Sequence, residues 1–158
     1  MPTTSTGPGA QLDARELAFL VGARQAILAT IDPRGRPRPV PICFIVDAAD
    51  PSRVRMLTPL DDKPKATNDK QALARVRDIR ARPEVSLLVE RWDEDWSRLA
   101  WLRLTGRATL LDPADVPRRA VERLRTKYPQ YATHDLESSP MIEIELERAA
   151  SWGALDPA

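Results

Sequence analysis

Three prolines, Pro37, Pro39 and Pro41, alternate along RPRPVPICFIVD, residues 36–47. A proline has no backbone N–H, so it cannot donate to a β-ladder. The stretch is otherwise strand-like, with Val40, Ile42, Phe44, Ile45 and Val46 supplying β-prone apolar residues. A strand built this way cannot sit in mid-sheet with both sides paired. The side that carries the proline nitrogens must face an edge, a bulge or a ligand. Ahead of it, Ala26 to Ile31 is apolar and β-prone, and Asp32 to Gly35 (DPRG) is a turn sequence. The spacing predicts a β-hairpin with a loop of about four residues, its second strand running from Arg38 to Val46.

The remaining pattern alternates short strands with a few helices. Asp13 with Glu16 three places on is a capping box. It opens a helix to about Gly22 or Ala23, with Leu17, Leu20 and Val21 on one face. Val54 to Thr58 predicts a third strand, and a helix follows from about Thr67 to Ala81, with Leu73, Val76 and Ile79 as its buried stripe. Glu84 to Glu90 and Leu99 to Leu111 predict two more strands, with Gly106 at a bend or bulge. Pro117 to Tyr128 is a basic helix, and Met141 to Leu146 (MIEIEL) alternates strictly. Helices are too few to cover two faces of a parallel sheet, and the short links favour antiparallel pairing. The expected fold is a mainly β, α+β domain: a six-stranded antiparallel barrel with helices at its rim. Residues 1–11 are expected to be a disordered tail and residues 12–158 one domain.

Charge and composition remove several functions. With 24 basic and 23 acidic groups, the chain lacks the positive excess of a general nucleic-acid binder. No apolar run of about 18 residues offers a membrane span, and MPTTSTGPGA is not patterned as a signal peptide. The single cysteine, Cys43, cannot form an internal disulfide and fits a reducing, cytoplasmic setting. No phosphate loop, dinucleotide fingerprint or zinc spacing is present. Asp93, Glu94 and Asp95 lack calcium-loop spacing, so no metal site is expected. The one histidine, His134, is expected in a loop, and no catalytic acid, base or nucleophile stands out.

One junction invites an anion. Lys63 and Lys65 flank Pro64 between a strand and a helix. Lysine is a flexible point charge suited to phosphate, and a helix N-terminus adds free N–H groups. Asp61 and Asp62 could instead pair with the lysines in a solvated loop. Trp92, Trp96 and Trp101 are expected to pack in the core, although they could wall an aromatic ligand. Anion grip, aromatic walls and no acid–base residues together suit a redox cofactor, which brings its own chemistry.

LATIDPRGRPRPVPICFIVD, then MLTPLDDKPK, then a helix ending in IRARPEVSLLVE, resembles in order and spacing the pyridoxamine 5′-phosphate oxidase-like split-barrel family. RWDEDWSRLAWLRLTGRA looks most like the branch of that family that uses the deazaflavin coenzyme F420. The resemblance implies a homodimer with the cofactor in a groove between subunits. It places the cofactor phosphate at Lys63 and Lys65, with Thr58 and Pro59 just before them. It lays the ring along Val40, Pro41, Ile42 and Cys43 and puts a ring-side position at Trp101. Three departures bear on the chemistry: Pro64 separates the basic pair that FMN oxidases keep adjacent, Trp101 or a neighbour stands in place of a ring-side glutamine, and SWGALDPA stands where vitamin B6 enzymes carry a substrate arginine. The resemblance therefore implies hydride transfer between reduced F420 and an electron-poor small molecule, enone- or quinone-like. FMN is the alternative cofactor, and a non-enzymatic cofactor-binding module is the alternative role.

Overall fold

The computed structural model describes residues 3–6, 12–60 and 73–157, the first four by backbone only. Eight strands, β1 (Thr3–Thr6), β2 (Ala26–Ile31), β3 (Pro37–Ile42), β4 (Ile45–Asp47), β5 (Arg55–Pro59), β6 (Glu84–Arg91), β7 (Ala100–Leu111) and β8 (Met141–Gly153), form one antiparallel sheet. Three helices, α1 (Ala14–Gly22), α2 (Ala74–Ala81) and α3 (Arg118–Lys127), pack around it. The main path is β3-β2-β6-β7-β8-β5-β4, and β1 adds to β8.

The two ends of that path are consecutive in sequence. Only Cys43 and Phe44 separate β3 from β4. Three Cα steps reach at most roughly 11 Å, so the two sheet edges are drawn together and the sheet must curl. The result is the expected split barrel, with a seam at Cys43–Phe44. Six strands become eight for two reasons. The predicted strand Arg38–Val46 breaks at the seam because it serves both edges. Thr3–Thr6, inside the expected tail, pairs with Arg148–Ser151; the rest of that tail lies outside the described residues.

The barrel interior collects one face of each strand, including Leu28, Val46, Met56, Leu87, Leu102, Leu104, Ile142 and Ile144, all nearly or fully buried. Alternate residues of β4 and β5, Ile45 and Leu57, face the other way and pack under α3 against Val121, Leu124, Tyr128 and Tyr131. That second core explains why β5 is buried along almost its whole length. α1 begins as expected: the Asp13 carboxylate accepts from the Glu16 N–H at 2.8 Å, and Glu16 accepts from the Asp13 N–H at 3.1 Å. Glu16 also accepts from the Ser151 hydroxyl at 2.7 Å, which ties the cap to β8. Leu20 is buried, but Val21 turns to solvent, so the apolar face of α1 is narrower than the pattern implied.

Gly106 sits where the β7–β8 register slips. A Cβ there would lie 2.3 Å from the Glu145 carbonyl oxygen. Only glycine lets the two backbones approach that closely. β8 runs on past the predicted Leu146 to Gly153, because β7 gives it a partner along its full length. α2 has the expected buried Val76 and Ile79, while residues 67–72 of the predicted helix lie outside the described residues. No helix among the described residues is long and apolar enough to cross a membrane.

Candidate binding site at the barrel seam

The hairpin that leads to the seam is fixed locally. Pro33, Arg34 and Gly35 form its tip, with Gly35 at φ 78°, a left-handed conformation that glycine adopts without strain. The Asp32 carboxylate accepts from the N–H groups of Arg34 and Arg36, both at 2.9 Å, and from Arg36 Nε at 2.9 Å. Those bonds, the Arg36 amide foremost, hold its carboxyl below the usual range. β3 then leaves the turn as an edge strand, as the prolines require. Arg38 and its cross-strand partner Thr30 both donate to Oδ2 of the buried Asp78 on α2, at 2.9 and 2.7 Å.

Beyond Ile42 the ladder to β2 stops, and a side chain takes over. The Tyr128 hydroxyl accepts from the Phe44 N–H at 3.0 Å. It donates to the Arg24 carbonyl at 2.9 Å and lies 3.2 Å from the Phe44 carbonyl. One phenol from the end of α3 thus holds the seam where no strand partner is available. Burial pushes its ionisation above the usual tyrosine range.

A cleft of about 510 Å³ opens beside the seam. Its walls are Pro41, Ile42 and Cys43 on one side, Tyr128, Gln130 and Tyr131 on another, and Arg24 with Gln25 at the mouth. The Arg24 guanidinium stacks 4.9 Å above the Tyr128 ring. The Lys127 ammonium lies 3.9 Å from the centre of the Phe44 ring. Partial burial, then the nearby charge of Arg24, lower the Lys127 pKa to about 8.

The sequence-derived site residues separate into three groups. Pro41, Ile42 and Cys43 line the cleft; Val40 precedes them on the same strand, half-buried, and its side chain and that of Ile42 pack on the barrel core. Thr58 and Pro59 are buried at the end of β5. Ile45 pairs with Leu57, so continuing that register sets Cys43 beside Pro59. The fold therefore brings the edge strand and the end of β5 together. Lys63 and Lys65 lie outside the described residues. Trp101 stands apart: Pro59, Met141 and Leu111 share one row of the sheet, and Trp101 is ten residues up β7 from Leu111. At about 3.3 Å per residue that is roughly 30 Å.

The tryptophans also depart from expectation. Trp92 and Trp96, expected in the core, are 64% and 71% exposed. They sit on the polar β6–β7 connection, whose 3-10 turn is capped by Asp95. Trp101 is half-buried on the outer face, opposite Trp152, with the Arg103 guanidinium 5.5 Å over its ring. Arg24, Tyr128, Gln130 and Tyr131 went unread as site residues. Their one sequence signal is YPQY, two aromatics around a proline directly after a helix, and it says nothing of the seam.

A family model described as pyridoxamine 5′-phosphate oxidase matches residues 12–153 of this chain. No curated protein matches the sequence. Among solved structures, the conserved hypothetical protein Rv2991 from Mycobacterium tuberculosis is similar with a TM-score of 0.65 and 20% identity, covering 95% of this chain and 90% of that one. An FAD-binding protein from Mesorhizobium loti is similar with a TM-score of 0.60 and 17% identity, covering 96% of both chains. The General Stress Protein 26 of Bacillus anthracis gives 0.54 and 16%, covering 85% and 88%. At these identities the likeness is one of fold.

Proposed function

This chain belongs to the pyridoxamine 5′-phosphate oxidase family, and from that premise we propose that it is an F420-dependent oxidoreductase. Its partner substrate is an electron-poor small molecule, enone- or quinone-like. The cleft at the seam carries the reading. It combines a flat apolar edge at Pro41–Cys43 with the rings of Tyr128 and Tyr131, which suits a planar aromatic group. When bound, the coenzyme supplies the hydride. The chain's residues would grip and orient it: Val40, Pro41, Ile42 and Cys43 would line the ring, and Lys63 and Lys65, with Thr58 and Pro59 just before them, would hold the phosphate.

The working unit in this proposal is a homodimer. Ile27, Leu88 and Trp152 stand on the outer sheet face together with Trp101, and Leu88 and Trp152 are exposed. A second copy laid on that face would cover them. It would also bring its own Trp101 toward a cleft that this subunit's Trp101 is too distant to reach.

FMN binding is the second reading, favoured by the Mesorhizobium loti protein named for FAD binding. Fluorescence titration of the purified protein with F420 and with FMN separates the two. Selective F420 binding supports the proposal, and FMN binding alone moves the protein to flavin chemistry. Binding of neither removes the enzyme reading. One charge-assisted hydrogen bond is worth about 1.5–3 kcal/mol, so Lys63→Ala or Lys65→Ala weakens F420 binding roughly 10- to 150-fold. Unchanged affinity in both variants takes the phosphate away from this junction.

A further inference from the structure

The open edge of β3 has an unusual hydrogen-bonding character, and it follows from register. At the hairpin, the Asp32 N–H donates to the Arg36 carbonyl at 2.9 Å. Asp32 and Arg36 are therefore a hydrogen-bonded pair. Hydrogen-bonded and non-bonded pairs alternate along an antiparallel ladder. Stepping along the register, Thr30–Arg38, Leu28–Val40 and Ala26–Ile42 are bonded pairs, and Ile31–Pro37, Ala29–Pro39 and Ile27–Pro41 are not.

A strand residue points its N–H and C=O to the same side. Arg38, Val40 and Ile42 thus face β2, and the backbone groups of Pro37, Pro39 and Pro41 face away from it. No strand lies on that side among the described residues, and all three prolines are exposed. The edge consequently presents three carbonyl acceptors and no donor. An ordinary edge would present three donors in the same place.

We propose that this acceptor-only edge selects the cofactor, with Pro41, the one of the three prolines that lines the cleft, as a specificity-determining residue that favours a deazaflavin ring over a flavin ring. The inference rests on the proposed function, with the central ring seated against the Pro41 end of the edge, where the cleft opens. A flavin and its 5-deaza analogue differ at one central-ring atom. The oxidised flavin has a nitrogen whose lone pair needs a donor; the oxidised deazaflavin has a C–H that needs none. Facing a carbonyl, the nitrogen loses the hydrogen bond it had in water, while the C–H loses nothing. A proline at position 41 therefore penalises the oxidised flavin alone.

The experiment compares FMN with 5-deaza-FMN, which share the same phosphate and chain, by equilibrium titration against wild type, Pro41→Ala, Pro39→Ala and Pro37→Ala. One neutral hydrogen bond corresponds to about a 2- to 12-fold change in affinity. Wild type is expected to bind 5-deaza-FMN more tightly than FMN by that factor. Pro41→Ala returns an N–H to the edge and is expected to tighten FMN relative to 5-deaza-FMN by the same factor, because the packing lost with the proline ring is common to both. Pro39→Ala and Pro37→Ala restore donors at positions that do not line the cleft and are expected to change neither. Equal wild-type affinities, or variants that shift both rings together, overturn the inference and leave the proposed function standing. If wild type binds neither ring but binds F420, recognition lies outside the central ring and the inference is overturned; if it does not bind F420 either, the proposed function falls and takes the inference with it.

Discussion

Tyr128 holds together two segments that the chain has no other local means of joining. Its hydroxyl bonds to the Phe44 N–H and the Arg24 carbonyl, residues 84 and 104 positions away. Tyr128→Phe keeps the ring and strands a buried amide. The expected loss is about 1–3 kcal/mol, read from urea unfolding; a loss below about 0.5 kcal/mol means water or a neighbour replaces the hydroxyl. Beside it, Lys127 titrates near pH 8 because burial disfavours its charge. Its folded pKa lies below the unfolded value of about 10.4. Between those values the unfolded state binds more protons, so stability rises with pH from about 8 to about 10.4. Lys127→Met removes that rise. Melting curves of wild type and variant that stay parallel across pH 7 to 10.5 would assign the slope to another group.

Among the elements, β7 and β8 depend on one close approach. With 2.3 Å between a would-be Cβ at Gly106 and the Glu145 oxygen, Gly106→Ala must push the backbones apart. Overpacking of this kind costs about 1–3 kcal/mol, and a thermal melt of the variant measures it. The segment after α3 depends on an ion pair. Arg125 donates to both carboxylate oxygens of Glu137 and, at 2.9 Å, to the His134 carbonyl. The Arg125 hydrogen bond holds the Glu137 pKa down to about 2. A depressed carboxylate stabilises above its unfolded pKa and loses that contribution as pH falls through the folded value. Amide exchange in residues 129–139 is therefore expected to accelerate relative to the barrel strands as pH drops from about 4.5 toward 2. An Arg125→Ala variant with the same acid profile as wild type would contradict this. The edge strand has its own logic: with acceptors but no donors it is a poor template for another chain's strand, so its prolines also guard against edge-to-edge association.

For the whole molecule, the outer sheet face and the seam cleft belong to one proposal. Leu88 stands between Ile27 on β2 and Arg103 on β7, so a carboxylate placed there lands in the middle of the outer face. Leu88→Glu is expected to shift the protein to monomer in analytical ultracentrifugation. It should also weaken F420 binding, because the partner's Trp101 leaves the site. A wild-type protein that sediments as a monomer ends the dimer proposal, and an intact dimer in the variant moves the interface elsewhere.

The sequence by itself determined what is local. The capping box at Asp13, the turn at Asp32–Gly35 and the edge character of β3 all follow from neighbours a few residues apart. Their physics, a side chain reaching its own helix end or a proline lacking a donor, acts within that range. The tertiary structure decided the rest. It broke the strand Arg38–Val46 at Cys43–Phe44, because both sheet edges need that strand. It assembled the cleft from Arg24, Pro41–Cys43 and Tyr128–Tyr131. It set Trp92 and Trp96 in solvent and stretched β8 to Gly153 by giving it β7 as a partner. Each of these rests on contacts between residues tens of positions apart, and such contacts exist only once the sheet has closed.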